Sequence, residues 1–462
     1  MHSLKSLLSG LVDIQPTSSV LPPAPVGSGA IGALSGAPET SQPHAHAATL
    51  RMLGQGTVSV DVARFTTRPT EYSIVLDDGN GHAVFRITVR DRSASIALAS
   101  DWDKQGNGRT HRPGASAAIT PFITFQASSM SVWISVDRSN NRVSLGQGYM
   151  MKCNEVAWLQ LEDRSKGARL PGTASAHTPV WEVQHVVFDS KVAFYDDREP
   201  RVNLMPVVVN VAPVVVGRDA ITLENIAHSD CVPASELPDA SQVLWGTVSG
   251  ERIRVSDSDA AAINYSLDTP GKTLYEIVDR KRKQSEFGDP HMVYVRVTIG
   301  PPLGDSPGSP FVMEIWPVGC YSPVHNHGGT VAVIKVLHGS ILSRWYNPLA
   351  DKDNPEPVSF AEQTFDAGGV TWLTPEMYQT HQLRNPRSDT ACVTIQSYRY
   401  LGDDDVHYEY FDYVGPKGGE LKHFTPDSDI TYTELIERVR KEYAEARVTA
   451  RSVPGTRLHA PR

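Results

Sequence analysis

At 462 residues the chain is longer than one hydrophobic core usually supports, so two domains are the default expectation. A hydrophobic share of 40%, a charged share of 21% and a net charge of −9 describe an ordinary soluble protein; its one basic block, Arg280-Lys281-Arg282-Lys283, sits at the end of an expected helix where cations suit the dipole, so nucleic acid is not an expected partner. Four scattered cysteines, Cys153, Cys231, Cys320 and Cys392, make no disulfide framework, and no apolar run reaches the ~20 residues of a membrane span, which leaves no membrane partner and the cytoplasm as the expected compartment.

Residues 1–50 are rich in Pro, Ala, Gly and Ser, a composition that buries too little surface to offset ordering, and are expected to be a disordered leader. Its first residues are too weakly apolar, and broken too early by Gly10 and Asp13, for a secretion signal. Gly27-Ser28-Gly29-Ala30-Ile31-Gly32 has the glycine spacing of a dinucleotide loop, but no strand precedes it and no amphipathic helix follows. His44-Ala45-His46 lies in a stretch that cannot form a barrel strand.

Residues 51–228 read as short strands separated by turn signals such as Asp77-Asp78-Gly79-Asn80-Gly81: Ser73 to Leu76, Ala83 to Val89, Ser131 to Asp137, Arg142 to Leu145, Val183 to Phe188 and Val207 to Val216. A β-sandwich is expected. Within it Val132-Trp133-Ile134-Ser135-Val136-Asp137, Val143-Ser144-Leu145-Gly146-Gln147-Gly148 and the run from Trp158 to Asp163 are similar to the lectin-like module called the farnesoic acid O-methyltransferase domain. That resemblance implies a binding or interaction fold with a carbohydrate or protein ligand, and no methyl transfer.

Residues 229–425 form the expected second domain, which begins with helices. Ser256-x-x-Asp259 has the form of a capping box, and Thr269-Pro270 puts a cap before a proline, ahead of Leu274, Ile277 and Val278 at helical spacing. Residues 426–462 read as a terminal helix and tail, opened by Thr431-x-x-Glu434 and striped by Leu435, Val439 and Tyr443, with the stripe expected to dock on one of the domains.

Between these helices lies the tract from Gly319 through Val324-His325-Asn326-His327 to His338-Gly339. Two histidines two apart in a strand-like stretch leave the backbone on the same side, which suits a metal ion. A third, His381, stands in Thr380-His381-Gln382-Leu383-Arg384-Asn385-Pro386, behind Gly369 and Pro375. A single histidine is more often a core or surface residue; His325, His327 and His381 stand out because spacing and flanking glycine, proline and asparagine agree jointly.

Glycine, five residues, His-x-His, and later His-x-x-x-Asn is similar to the two-part signature of cupins, antiparallel jelly-roll barrels with a metal site in the barrel mouth. The resulting fold class is mainly β: an N-terminal β-sandwich followed by a cupin jelly-roll barrel with flanking helices. Most metal-binding cupins carry a glutamate where this chain has Ala332, so the expected ligand set is three neutral imidazoles and no carboxylate. A divalent ion so held keeps its full charge and several open positions, and it deprotonates a coordinating thiol outright.

Residues 290–414 resemble the cysteine dioxygenase family. That resemblance implies Fe(2+) on His325, His327 and His381, and a thiol and O2 as reactants giving a sulfinate, with cysteine the first substrate expected and 3-mercaptopropionate the second. It gives Arg296, on the polar face of Tyr294-Val295-Arg296-Val297-Thr298, the task of pairing with a substrate carboxylate, with Arg344 as the competing candidate. Tyr398 takes the place of a tyrosine whose hydroxyl points at the substrate. The family's serine and histidine that order this hydroxyl are Thr394 and Gln396 here, and an amide cannot exchange protons as imidazole does. The cysteine of the family's thioether crosslink is again Ala332, so no crosslink is expected. Two other functions fit the same residues: a cupin that binds metal or ligand without turnover, the sandwich being its working surface, and a zinc or manganese enzyme acting on an oxyanion.

Overall fold

The computed structural model describes residues 47–63, 71–90, 93–99, 129–161, 179–189, 192, 199–300, 311–349, 354–399 and 411–452; the glycine-rich stretch at 27–32, His44-Ala45-His46 and most of the expected leader lie outside them. Period-two burial writes the first half. In β3 (Glu71–Asp77) Tyr72, Ile74 and Leu76 are buried on one face. Around it run β1 (Ala47–Thr49), β2 (Gln55–Ala63), β4 (Ala83–Arg90), β5 (Ser93–Leu98), β6 (Ser129–Asp137), β7 (Arg142–Gln147), β8 (Glu155–Gln160), β9 (His185–Phe188) and β10 (Arg201–Asn203).

They form two five-stranded antiparallel sheets, ordered β1-β9-β3-β4-β5 and β10-β2-β6-β7-β8. Their inner faces share one core that includes Val58, Ile74, Phe85, Ile134, Leu145 and Phe188, the expected sandwich. The last residues of the 1–50 leader belong to it, because Ala47–Thr49 pairs with β9.

Val207 to Val216 is not the strand its valines suggest. Only Val215–Val216 (β11) forms a ladder, with Val232–Pro233 (β12), while Val214 makes a single bridge to Thr371. Pro206 and Pro213 lack the N–H a ladder needs. The segment runs instead as a strap whose backbone is claimed by side chains from both halves: Val207 N–H donates to Ser135 Oγ at 2.8 Å, Trp372 Nε1 donates to the Ala212 carbonyl at 3.2 Å, and the Tyr378 hydroxyl donates to the Val211 carbonyl.

Four helices follow: α1 (Leu223–His228), α2 (Asp239–Val248), α3 (Asp257–Asp268) and α4 (Thr273–Gln284). Ser256 caps α3 as expected, its Oγ accepting from the Asp259 N–H at 3.2 Å. Thr269, the expected cap of α4, ends α3 instead. Gly271 at φ 78° makes the turn, and the start of α4 is closed by Glu442, whose Oε1 accepts from the Thr273 N–H at 2.9 Å.

The barrel is built from β13 (Val295–Ile299), β14 (Phe311–Trp316), β15 (Val324–His325), β16 (Val331–His338), β17 (Ser340–Tyr346), β18 (Ala361–Asp366), β19 (Val370–Leu373), β20 (Thr380–Arg384), β21 (Cys392–Arg399), β22 (Phe411–Gly415), β23 (Gly418–Phe424) and β24 (Ile430–Thr431). Its two six-stranded sheets are ordered β19-β16-β21-β14-β13-β24 and β18-β17-β20-β15-β22-β23, antiparallel except at β13–β24. This double sheet is the expected jelly roll. The outer face of the first sheet is covered by Leu244 and Val248 of α2 and by Leu435 and Val439 of α5 (Tyr432–Ser452), so the terminal stripe docks on the barrel half. Arg440 of α5 fixes it by gripping both carboxylate oxygens of Asp259, at 2.6 and 2.9 Å. All four cysteines are free thiols, and among the described residues no helix is long and apolar enough to cross a membrane.

Candidate metal centre

Strand β15 is only two residues long, yet it organises the centre. His325 sits opposite His381 of β20 in the ladder, and Trp345 of β17 continues that row. His327 lies past the strand's end, in a turn where Gly328 and Gly329 take φ of 58° and 82°. Gln379 aims it. The His327 N–H donates to Gln379 Oε1 at 2.8 Å, and Gln379 Nε2 is itself anchored on the Thr330 carbonyl at 2.9 Å.

The three rings converge, with centroids 4.8, 4.9 and 4.7 Å apart, and one ligand atom from each lies within 4.8 Å of the others. Among the described residues this cluster holds no carboxylate, and Ala332 is fully buried in register with Tyr398. The group fits a resident ion by a test of its own. His381 Nε2 is buried without a hydrogen-bond partner, an orphan that coordination satisfies, while Nδ1 of His325 donates to the Pro323 carbonyl at 3.0 Å and so leaves Nε2 free to ligate.

Burial holds the His325 ring down to about 4 and, with mutual repulsion, keeps His327 and His381 well below the usual imidazole range. All three are therefore neutral ligands at neutral pH. Because the unfolded chain protonates these histidines first, their contribution to stability is complete above about pH 6.5 and is lost as pH falls. Burial raises Glu314 against the pull of Arg296, so it works in the opposite sense, taking up a proton in the folded state above its ordinary range. With three groups against one, the metal-free protein should lose stability as pH falls from about 6 to about 5. Denaturant midpoints that stay flat across that interval would count against the neutral cluster.

Tyr398 of β21 packs its ring 5.5 Å from that of His327. Its hydroxyl donates to Gln396 Oε1, and Gln396 Nε2 donates in turn to Glu314 of β14. Thr394 is not part of this chain; its Oγ1 accepts from Trp316 Nε1 at 3.1 Å. Arg296 of β13 completes the row opposite Glu314, donating from its guanidinium at 3.0 Å, with side chains only 10% and 4% exposed. A row of buried hydrogen bonds thus runs through Arg296, Glu314, Gln396 and Tyr398, the Arg296 guanidinium also lies 5.9 Å from the Tyr398 ring, and one nitrogen of the fork expected to await a carboxylate already donates to one.

Arg344 faces the other way. It pairs with Gln382, one step off the His381–Trp345 row, and its Nε donates to Glu362 at 3.0 Å on the barrel's outer surface. On the inner side Phe411 and Phe424 roof the histidines, with ring distances of 4.7 Å (Phe411 to His327) and 5.9 Å (Phe424 to His325). Beside them a narrow void of about 40 Å3 runs from exposed Glu286 and Asp427, past Phe424 and Tyr294, to Arg296. Asn385, of the His-x-x-x-Asn motif, is fully buried and structural: its amide donates to the carbonyls of Trp316 at 3.0 Å, Pro317 at 3.3 Å and Thr390 at 3.0 Å.

Glu314, Gln379, Phe411 and Phe424 are site residues that motif spacing does not mark. A visible signal existed for Glu314, the only charge in Phe311-Val312-Met313-Glu314-Ile315-Trp316.

No family model matches the chain. Solved structures resemble part of it: the Cupin_2 domain of an XRE family transcriptional regulator from Enterobacter cloacae, 13% identical over 24% of this chain and 98% of that one, TM-score 0.19; an RmlC-like cupin protein from Desulfovibrio desulfuricans, 17% identical over 23% and 81%, TM-score 0.17; and oxalate oxidase with the substrate analogue glycolate, 14% identical over 23% of this chain and only half, 50%, of that one, TM-score 0.18. Identities and scores this low carry no activity from those proteins to this one.

Proposed function

We propose that the barrel is an iron(II)-dependent thiol dioxygenase that adds both atoms of O2 to the sulfur of a small thiol, giving a sulfinate. The observation that supports it above others is the cluster of three buried, uncharged imidazoles with no carboxylate among them, next to a tyrosine ring. The reaction balances internally: sulfur gives up four electrons, dioxygen accepts four, and no further reductant is needed. When bound, ferrous iron supplies the charge that ionises the thiol and the redox centre that dioxygen chemistry requires.

The chain's own residues do the rest. His325, His327 and His381 hold the ion without neutralising it, so its attraction for a thiolate is undiminished. Phe411 and Phe424 keep water from the reacting atoms. Tyr398, whose ring stacks on His327 and whose hydroxyl is fixed by Gln396, would line the substrate's place; because an amide neither gains nor loses a proton near neutrality, this tyrosine would orient by hydrogen bonding rather than by relaying protons.

The test is oxygen uptake by iron-loaded protein with a panel of small thiols, together with metal analysis of protein purified without added metal. One O2 consumed per thiol lost, with sulfinate as product, is the expected result. One equivalent of zinc or manganese together with thiol-independent activity on an oxyanion would overturn it.

A further inference from the structure

We propose that Tyr149 and Tyr378 are positioning residues of the metal centre, through which the first half of the chain sets two of the three histidines. This rests on His325, His327 and His381 forming a metal centre and on no particular reaction there. Backbone strain marks the place. Tyr378 has a φ of 59°, in the left-handed region that a bulky aromatic residue adopts only where its surroundings over-determine it. It follows a tight turn in which the N–H groups of Thr374 and Met377 donate to each other's carbonyls at 2.8 and 3.1 Å. It also opens the run Tyr378-Gln379-Thr380-His381. In that run Gln379 takes the His327 N–H on its side chain and faces Nδ1 of the His327 ring with its carbonyl at 3.5 Å, and His381 is itself one of the clustered histidines.

Two hydrogen bonds tie this run to the first half of the chain. The Tyr378 hydroxyl donates to the Val211 carbonyl of the strap, and the Tyr149 hydroxyl accepts from the Thr380 N–H at 3.3 Å. Tyr149 is a stiff arm: only 4% exposed, it packs in the barrel core while its carbonyl accepts from Trp133 Nε1 of the sandwich at 3.1 Å and from Asn154 Nδ2 at 3.0 Å. Both hydroxyls therefore act on the chain beside the histidines and not on an imidazole. A strained backbone relaxes when its restraints are removed. Where three nitrogens must meet at one ion, such relaxation misplaces them and costs affinity.

The experiment titrates cobalt(II), followed by its visible ligand-field bands, into the metal-free full-length protein and into Tyr149→Phe, Tyr378→Phe and, as a control, Asp259→Asn. The control weakens the grip of Arg440 on the terminal helix, lowering the unfolding midpoint without touching the run from Tyr378 to His381. Each tyrosine variant keeps its ring and loses only its hydroxyl. Each should bind cobalt at least about threefold more weakly than the parent and with altered bands, a smaller loss than the roughly 10- to 100-fold cost of removing a direct partner of a ligand. Asp259→Asn should match the parent in affinity and spectrum despite its lower midpoint. Should Tyr378→Phe not fold, Tyr149→Phe alone decides.

Tyrosine variants that bind cobalt as the parent does, or an Asp259→Asn protein that loses affinity to the same degree, overturn the inference and leave the metal centre standing. A parent that binds no cobalt overturns both.

Discussion

His327→Ala protein is expected to emerge without iron and without thiol-dependent oxygen consumption, while remaining folded. Among the described residues three neutral donors are the whole of the candidate ligand set, so losing one leaves a two-point attachment on opposite β15 and β20 residues. Disturbing a mere supporting contact of a metal ligand costs about 10- to 100-fold in affinity, and losing the ligand itself exceeds that range. Folding survives because the ring is uncharged and its anchoring hydrogen bond comes from the backbone N–H, so its loss strands no buried charge and leaves only a cavity beside Tyr398 and Phe411 that lowers the midpoint. The measurements are metal content and denaturant midpoint of the same preparation. Gln379→Ala gives the graded version, in which the ring loses its aim but not its nitrogen and iron affinity drops by about 10- to 100-fold. Full iron occupancy in His327→Ala would remove that residue from the centre.

The second large effect is on stability. Arg296→Ala should destabilise the protein by about 3–5 kcal/mol, because it strands Glu314 in the interior with neither solvent nor cation. Were Arg296 a clamp held ready for a ligand, its removal would change binding and leave the unfolding midpoint where it was. The ion pair predicts the reverse order of effects. Joint replacement, Arg296→Met with Glu314→Leu, should recover most of the loss, since an apolar pair of similar volume escapes the penalty of desolvating charge. A midpoint for Arg296→Ala equal to that of the parent would show that Glu314 has another source of compensation.

What could be read from the residues alone follows from how far each signal reaches. His325, His327, His381 and Tyr398 were legible because motif spacing is local and the barrel's alternation turns spacing into direction. Arg296 was legible as an inward residue, but its partner was not: that Glu314 lies directly across from it depends on which strands neighbour and in what register. Val207 to Val216 misled because hydrophobicity was weighed without asking where the donors of a proline-broken segment would go. β2 was missed for the opposite reason. Its buried Val58, Val60 and Val62 alternate cleanly, but Gly54 and Gly56 at its threshold read as loop. Thr269 shows a cap motif outbid by tertiary contact, since Glu442 reaches the start of α4 from far along the chain.

The Tyr149 hydroxyl, just past β7, accepts from the Thr380 N–H at 3.3 Å, 231 positions later and next door to His381. The strand that carries His381 is therefore braced by a residue next to a sandwich strand. Pairings of such long range form late in folding. A chain still leaving the ribosome can make this contact only once both residues have emerged, and a shortened product beginning at the first helices would keep the three clustered histidines but lack the brace beside His381.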